Sequence, residues 1–296
     1  QEKFDKWEAK FMTLIEKEYP DMDKKMMKKL AIENAAYFIS VFNPTTAIIS
    51  MPINMLNYVY EWSEDYVIQI ISNEDTRHDR FFSRLSDALC KFSAEFKKVV
   101  PMVDGLFDKR SRDMRYIKKM SNEKFDDKYT GKCQYGTSYT SIYSMSFRVV
   151  AQAIRHRLLR YELFIDTENP VYYIPTMIKF NSELVDEWLT DMSEVEEFIP
   201  QGTLFNVLET GNIDGFITKC KERLCGRVQL EMAEHTATAL MVYDMELSGI
   251  DDFEDERAEL NKFIMDMKVV PRCMHPEFKC LEPCYFGPKM GLERLI

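Results

Sequence analysis

The chain has 296 residues, 46% apolar and 30% charged, a composition that supports a sizeable buried core and argues against disorder. Its formal net charge of −10 argues against a nucleic-acid polymer or an anionic membrane surface as the main partner, but leaves room for a local basic pocket. No run approaches the roughly 20 apolar residues of a membrane span, so no membrane partner is expected.

Cysteine and glycine usage narrows the possible functions. The seven cysteines are an odd number, and the first residues do not resemble a secretory signal, which together predict reduced thiols and a cytoplasmic location. Ten glycines are present, but none belongs to a Gly-x-Gly-x-x-Gly or P-loop motif. The sequence therefore predicts neither a Rossmann-type dinucleotide fold nor a P-loop nucleotide site.

Residues 1–103 are predicted to form a helical N-terminal region, because apolar residues recur there at helical spacing. The helices are expected at 3–19, from Asp21 or Asp23 to about Ile39, at 53–72 and at 78–98. Their apolar stripes are typical of packing faces rather than ligand sites. Residues 33–57 faintly resemble a later block, which leaves two interpretations open: a decayed internal repeat, or a helical extension packed on the core.

The composition of the chain changes at residue 104. Residues 104–136 are rich in charge and weak in periodicity, which predicts a connecting region with a short helix around 111–119. Residues 137–268 are predicted to form the core of a helix-rich α+β fold. Its elements are expected to be a strand-like stretch at 137–148, a helix at 147–164, a short strand at 171–174, a helix at 178–197 and a long helix from about Asn212 to Glu246.

Arg155, His156 and Arg157 interrupt an otherwise apolar helical pattern. An unpaired charge is costly in a core, whereas arginine binds phosphate through two parallel hydrogen bonds and histidine adds a titratable donor. Gln152, Arg155 and His156 would share one face of a continuous helix. The pattern predicts a site for a phosphate-bearing ligand, although a helix end emerging into solvent explains it equally well.

A second row with i+4 spacing runs along the predicted long helix, and it consists of Lys219, Arg223, Arg227 and Glu231. A solvated face with salt bridges is the usual explanation of such a row. The alternative is that its cations and those around Arg155 converge on one pocket.

Two blocks of residues 137–245 resemble one protein family, the flavin-dependent thymidylate synthases. The order and spacing of the blocks are similar to those of the family's conserved motifs. The blocks comprise Gln152–Arg157, Tyr173–Pro175, Phe198–Thr203, Asn212, Arg223 and Gln229–Glu231. The resemblance implies a flavin-dependent thymidylate synthase-like fold for this part of the chain.

The same resemblance implies a function. The reaction would be C5-methylation or hydroxymethylation of a pyrimidine deoxynucleotide, dUMP or a related one. FAD reduced by NADPH would supply the hydride, and methylenetetrahydrofolate would donate the carbon. The resemblance also implies a homo-oligomer, a tetramer or a dimer, with active sites built between subunits.

Residue roles follow from the resemblance as well. Arg223 would be the catalytic residue, acting on the pyrimidine ring. The nucleotide would be bound by Gln152, Arg155, Arg160, Glu162, Arg223 and Gln229. The flavin would be bound by Arg155, His156, Arg157 and Asn212.

Several positions depart from the family pattern. Arg160 stands where the family has Ser, and residues 165–167 replace a second Ser and an Arg. Glu196 and Asp214 occupy positions where the family carries arginine. These losses favour an altered substrate or, alternatively, a catalytically lapsed structural or regulatory subunit. A third hypothesis is a zinc-stapled helical interaction protein with an accidental resemblance.

Residues 269–296 form a tail rich in cysteine and histidine. Cys273, His275, Cys280 and Cys284 provide the ligand types of a structural zinc site with three cysteines and one histidine. Reduced thiols in a packed tail, or an iron–sulfur cluster, are the alternatives that the spacing leaves open.

Overall fold

A five-stranded sheet surrounded by helices lies at the centre of the fold. The structure is a computed structural model that describes residues 1–100, 119–121, 124–248, 271–274, 280, 284–287 and 293–296. Its helices are α1 (Glu2–Glu18), α2 (Lys24–Ala35), α3 (Ile53–Ser72), α4 (Glu74–Arg77), α5 (Arg80–Val99), α6 (Phe147–Ala153), α7 (Ser182–Glu194), α8 (Ile213–Arg223) and α9 (Leu230–Ser248). The predicted helix-rich α+β class is confirmed.

The sheet is mostly antiparallel. Its strands are β1 (Lys119–Met120), β2 (Gln134–Tyr135), β3 (Ser138–Ser146), β4 (Arg160–Phe164) and β5 (Leu204–Asn212). They are arranged in the order β1-β4-β5-β3-β2, and only the short β1 runs parallel to its neighbour, β4. β3 and β5 pair from Ser138–Asn212 to Ser146–Leu204, so β5 is the central strand.

The predicted N-terminal helices are confirmed with small changes of bounds. α1 buries Trp7, Phe11 and Ile15, the side that its apolar spacing predicted. Asp23 caps α2 by accepting hydrogen bonds from the backbone of Lys25 and Met26. Trp7 packs edge-on against Trp188 of α7, with ring centroids 4.8 Å apart. α1, α2 and α7 therefore share one apolar core with the described tail residues.

A second core lies between the sheet and the remaining helices. It contains residues of α3, α5, α6, α8 and α9 together with the inner face of β3, β4 and β5. The predicted stripe of α5 only partly contributes, because Phe81 and Phe96 are buried whereas Phe92 is 39% exposed. Most side chains that could carry chemistry lie around the edges of this core.

The predicted helix over residues 147–164 is wrong. α6 ends at Ala153, a turn carries Arg155–Arg157, and the chain then enters β4. Tyr161 and Leu163 alternate inward on β4 and are buried. Because β4 pairs with β5 over five residues, the hydrogen bonds of the sheet override the local helical pattern.

The predicted long helix over residues 212–246 is also wrong, because it consists of α8 and α9 separated by the turn 224–229. The central strand, β5, was not predicted from the sequence. The predicted strand at 171–174 reduces to a single bridge between Tyr172 and Thr203. The stretch 137–148 contains β3, and the helix at 178–197 corresponds to the shorter α7.

The connecting region is described only in part. The short helix predicted around 111–119 falls almost wholly outside the described residues. Residues 127–132 form a 3-10 turn that leads into β2. Across the described residues, no helix combines the length and apolar character that crossing a membrane would demand.

Candidate functional site

A hydrogen bond joins the two blocks that resemble the synthase family. Gln152 at the end of α6 donates through Nε2 to Oε1 of Gln229, at a distance of 3.1 Å. Gln229 ends the turn between α8 and α9. Both side chains are half-buried. Residues 77 positions apart in the chain therefore meet at one place in the fold.

Two arginines of the same blocks, Arg155 and Arg223, lie within electrostatic range of each other. Arg155 follows α6 and is exposed, whereas Arg223 ends α8 and is half-buried. Burial lowers the pKa of Arg223 below its usual value; Glu222 works in the opposite direction, and the positive charge of Arg155 lowers it further. Within the part of the chain that the structure describes, neither arginine forms a salt bridge. Gln152, Arg155, Arg223 and Gln229 are hereafter called the Gln–Arg cluster.

The Gln–Arg cluster contains buried donors for which the described part of the chain supplies no acceptor. Nε of Arg223 and Nε2 of Gln229 are both shielded from solvent and, among the described residues, have no hydrogen-bond partner. A buried donor without a partner costs about 1–3 kcal/mol, a penalty that a ligand with acceptor oxygens would remove. Like charges at Arg155 and Arg223 also favour an anionic ligand.

Close packing positions the Arg155–Arg157 turn beside α8. Leu159, at the end of the turn, lies so near Gly211 that a Cβ there would come within 2.5 Å of Leu159 Cδ2. A Cβ at Gly215 would come within 3.1 Å of the same atom. A side chain at either position would force Leu159 to shift, so the two glycines permit this close packing. Leu159 thus lies near the start of α8, and Arg155 interacts with Arg223 at its end.

The other predicted flavin-binding residues are more dispersed. His156 is buried in the turn with 7% exposure, while Arg157 is exposed. Asn212 caps α8, with its Oδ1 accepting from the backbone of Gly215 at 2.9 Å. This role in the fold was not predicted for Asn212.

Arg160 and Glu162, predicted to bind the nucleotide, both belong to β4. Arg160 is exposed at the start of the strand, and Glu162 is half-buried opposite Leu208 of β5. Arg160 makes no hydrogen bond or salt bridge with the Gln–Arg cluster among the described residues.

The predicted basic row on one helix does not exist as a single face. Lys219 is fully buried and forms an ion pair with Glu209 of β5, with Nζ–Oε distances of 2.9 and 2.8 Å. Arg227 is exposed in the turn, and Glu231 is buried in α9. The interpretation as a solvated face is therefore wrong for the two buried members.

The buried Glu209–Lys219 pair was missed by sequence reasoning. Burial would raise the pKa of Glu209, but the charge and hydrogen bonds of Lys219, together with hydrogen bonds from neighbouring tyrosines, hold the pKa below its usual value. Tyr143 also donates to Glu209, at 2.7 Å. Because its charges are fully paired, this cluster stabilises the fold between β5 and α8.

Glu231 connects three parts of the fold near the Gln–Arg cluster. Its carboxylate accepts from the backbone nitrogen and the hydroxyl of Ser146 at 2.7 Å each, and from the Tyr37 hydroxyl at 2.8 Å. Glu231 lies two residues after Gln229. These bonds fix the start of α9, and with it the position of Gln229, against β3 and the N-terminal helices.

A cleft opens beside the same turn. It encloses about 670 Å³, including space open to solvent, between α2, the 226–231 segment and the tail. Gln229 and Glu231 line it, together with Lys29, Arg227 and Arg294. Arg155 and Arg223 do not line this cleft, so within one subunit only one edge of the Gln–Arg cluster reaches it.

The predicted zinc ligands are only partly described. Cys273 and Cys284 are half-buried, Cys280 is exposed, and His275 lies outside the described residues. The described ranges contain no group of three or more His, Cys, Asp or Glu residues already arranged to hold a metal ion.

Comparisons with known proteins do not identify a family. No protein-family model matches the chain, and no curated protein matches it significantly. The function therefore has to be inferred from the sequence motifs and the geometry of the Gln–Arg cluster.

Proposed function

We propose that this protein is an enzyme similar to the flavin-dependent thymidylate synthases, with a related fold in residues 137–245. It methylates or hydroxymethylates C5 of a pyrimidine deoxynucleotide, dUMP or a related one. Its co-substrates are NADPH and methylenetetrahydrofolate, and its cofactor is FAD. The proposal begins from the two family-like blocks and depends on where their residues lie in the fold.

The observation that carries the proposal is the hydrogen bond between Gln152 and Gln229. Each glutamine belongs to a different block, and the sequence resemblance assigns both to the nucleotide. An accidental resemblance would give no reason for the two blocks to meet. Their contact at 3.1 Å, with Arg155 and Arg223 nearby, supports a shared ligand site.

The chemistry of the Gln–Arg cluster suits a pyrimidine nucleotide. The amide Nε2 of Gln229 and Nε of Arg223 are donors without acceptors among the described residues, and pyrimidine carbonyl oxygens are acceptors. Arginine also binds phosphate through two parallel hydrogen bonds. The cluster can thus hold both ends of a nucleotide.

Arg223 is the proposed catalytic residue. A guanidinium next to a pyrimidine carbonyl stabilises the enolate-like negative charge that develops as the ring reacts at C5, and it does so best in a partly buried site. FAD, when bound, supplies the hydride chemistry, and the protein orients the reactants. Gln152 and Gln229 bind and orient the ring.

The residues proposed to hold FAD are Arg155, His156, Arg157 and Asn212. Arg155 and Arg157 are exposed in one subunit, and Arg223 has a donor without a partner among the described residues, so groups suited to phosphate and carbonyl oxygens are present. In the proposed homotetramer or dimer these exposed arginines face a neighbouring subunit. Each active site then combines residues of two chains.

An absorbance titration tests the proposal. The purified full chain is titrated with FAD and then with dUMP, using dCMP as the matched alternative nucleotide. We expect a bound-flavin spectrum that one of the nucleotides perturbs, followed by nucleotide-dependent oxidation of the reduced flavin when methylenetetrahydrofolate is present. Protein that takes up no FAD would contradict the proposal.

A second candidate function is a catalytically lapsed structural or regulatory subunit. One observation favours it: at two positions that depart from the family pattern, the side chains contact the start of α5. Thr167 contacts Asp79 through backbone and side chain at 2.8–3.0 Å, and Glu196 forms a 2.5 Å salt bridge with Arg80. These sites have acquired structural partners in place of anion-binding groups.

The two functions differ in turnover. The lapsed subunit would form oligomers and could retain flavin, but it would yield no C5-modified nucleotide. Product formation from dUMP or dCMP, measured by mass spectrometry with FAD, NADPH and methylenetetrahydrofolate present, would exclude it.

A further inference from the structure

The cleft between α2, the 226–231 segment and the tail contains a buried arginine. Arg294 lines this cleft and is 4% exposed. Within the part of the chain that the structure describes, no carboxylate forms a salt bridge with it. Because a buried charge without an opposite partner is unfavourable, the position of Arg294 is suited to binding an anion.

The guanidinium of Arg294 is held in place by its neighbours. Two of its nitrogens donate to the backbone carbonyls of Gly226 and Val228, in the turn between α8 and α9. Its central carbon lies 5.0 Å from the centroid of the Phe286 ring. Nε is shielded from solvent and has no hydrogen-bond partner among the described residues. The side chain is therefore preorganised and keeps a donor for an oxygen acceptor.

The two acidic side chains that line the cleft already have partners. Glu231 is 1% exposed and accepts the three hydrogen bonds described above. An oxygen of Glu33 lies 3.8 Å from Nζ of Lys29, one turn away on α2. Three cations line the same cleft, namely Lys29, Arg227 and Arg294. The balance of charge therefore favours a negatively charged ligand over a cation.

The other walls of the cleft are largely apolar. Aliphatic and aromatic side chains form them, among which are Met26, Leu30, Val228, Phe286, Tyr37 and Tyr173. The rings of Tyr37 and Tyr173 are stacked, with centroids 4.9 Å apart and planes inclined by 29°. The volume of about 670 Å³, part of it open to solvent, is within the range of small-molecule sites. Such walls suit a flat apolar group.

We propose that this cleft binds a small aromatic anion, an aryl phosphate or an aryl carboxylate. Its charged oxygens bind Arg294, and its ring packs against the apolar walls. The site goes beyond the proposed nucleotide site, because Gln229 is the one member of the Gln–Arg cluster that lines the cleft. The amide of Gln229 is assigned to the nucleotide, so the anion contact in the cleft belongs to Arg294.

The first test is calorimetric titration of the wild-type full chain, without flavin or nucleotide, with four probes. Benzoate is compared with benzamide, its neutral analogue, and phenyl phosphate is compared with inorganic phosphate, which lacks the ring. We expect at least one of the two aryl anions to bind about 10-fold more tightly than its comparison compound, and the tighter of them identifies the charged group. Equal affinities within both pairs, or no binding of either aryl anion at about 10 mM, would overturn the proposal.

Variants of the cleft provide the second test. Arg294→Met should weaken binding of the aryl anion about 10-fold or more, the effect of losing a charged hydrogen bond. Arg77→Met, at an exposed arginine of α4, is the matched control and should leave the affinity unchanged. Folded Arg294→Met with the affinity of wild type would contradict the proposal. If Arg294→Met fails to fold, Leu30→Trp decides, because it narrows the cleft without removing a charge: unchanged affinity there would overturn the site.

The location of the bound anion is tested separately, because a phosphate or carboxylate also suits the arginines of the Gln–Arg cluster. Arg223→Met should bind the aryl anion as tightly as wild type does. Loss of binding in Arg223→Met with retention in Arg294→Met would assign the anion to the Gln–Arg cluster and overturn the site in the cleft. These titrations contain neither FAD nor a nucleotide, so their outcome is distinct from that of the enzymatic proposal.

Discussion

Lys219 and Arg223 lie one turn apart on α8, yet their surroundings are opposite. Lys219 is fully buried and forms an ion pair with Glu209. The Tyr143 hydroxyl also donates a hydrogen bond to Glu209. Arg223 is half-buried, lies near another cation at Arg155, and keeps a donor without an acceptor among the described residues. A buried charge with all its partners belongs to the fold, whereas a cation beside a like charge is suited to binding an anion.

The contrast between Lys219 and Arg223 is tested first by replacing Lys219 with an apolar residue of similar length. Lys219→Met leaves Glu209 buried without its partner, and we expect it to lower the free energy of unfolding by about 3–5 kcal/mol. Denaturant unfolding measures the change. Lys98→Met, at an exposed position of α5, is the control and should change the stability by at most about 0.5 kcal/mol. A cost for Lys219→Met as small as that of the control would show that the buried pair is not needed.

The pH dependence of stability tests the same pair by a gentler route. The pKa of Glu209 is lower in the folded protein than its ordinary value of 4.5, because Lys219 and the tyrosine hydrogen bonds together offset the effect of burial. A carboxyl group with a depressed pKa contributes stability that is present above its unfolded pKa and is lost as the pH falls through the folded one. Wild-type stability should therefore decline below about pH 4.5.

Lys219→Met should change how the free energy of unfolding depends on pH, and this change is the more specific test of the pair. Without Lys219, burial, the largest influence on Glu209, would outweigh the remaining hydrogen bond from Tyr143 and raise the pKa of Glu209, so protonation would favour the folded state. The loss caused by Lys219→Met should therefore shrink as the pH falls. Parallel stability curves for the two proteins between about pH 7 and pH 3 would contradict the assignment.

A smaller effect is expected at the Gln–Arg cluster. The hydrogen bond between Gln152 and Gln229 is half-buried, and such bonds contribute about 0.5–1.5 kcal/mol. The single changes Gln152→Ala and Gln229→Ala, together with the double change, should give a coupling energy of about 1 kcal/mol in unfolding experiments. The exposed pair Ser144–Asn206, bonded at 2.8 Å, is the comparison and should couple less. Additive effects at Gln152 and Gln229 would mean that the two blocks do not meet.

The smallest effect on stability should come from Arg223. Arg223→Met removes a charge that has no salt-bridge partner among the described residues and that lies near Arg155. We expect the free energy of unfolding to stay within about 0.5 kcal/mol of wild type, or to rise slightly. Because Lys219→Met introduces the same residue one turn away, the two variants form a matched pair. A large loss at Arg223 would indicate a structural role.

The N-terminal helices were predictable and the central strand was not, for a physical reason. α1 and α3 have apolar residues at helical spacing, and that spacing is sufficient to place them. β5 buries every second residue, namely Phe205, Val207 and Glu209. Because the third of these is a carboxylate, the sequence does not show the alternation of apolar and polar residues that is typical of a strand. The lysine that makes this carboxylate tolerable lies ten residues away on another element, so no local pattern could reveal it.

The sequence motifs select the residues of the Gln–Arg cluster, and their role as a site stays a prediction; the geometry of the cluster could not be predicted from those motifs. The turn that divides the expected long helix into α8 and α9 contains Gly226, which the tail approaches closely at Cys284 and Phe286. The turn at Arg155 depends on Leu159 packing over Gly211 and Gly215. Both features come from tertiary contacts between distant segments, which local periodicity does not contain.

The most direct test of the proposed site is the affinity of the FAD-loaded full chain for dUMP, or for dCMP if dCMP is the nucleotide bound, measured by calorimetric titration. Arg223→Met should weaken nucleotide binding about 10- to 100-fold, the effect of losing a charged hydrogen bond, while Arg77→Ala, at an exposed arginine of α4, should leave it unchanged. Equal affinities in wild type and Arg223→Met would contradict a nucleotide site at the Gln–Arg cluster.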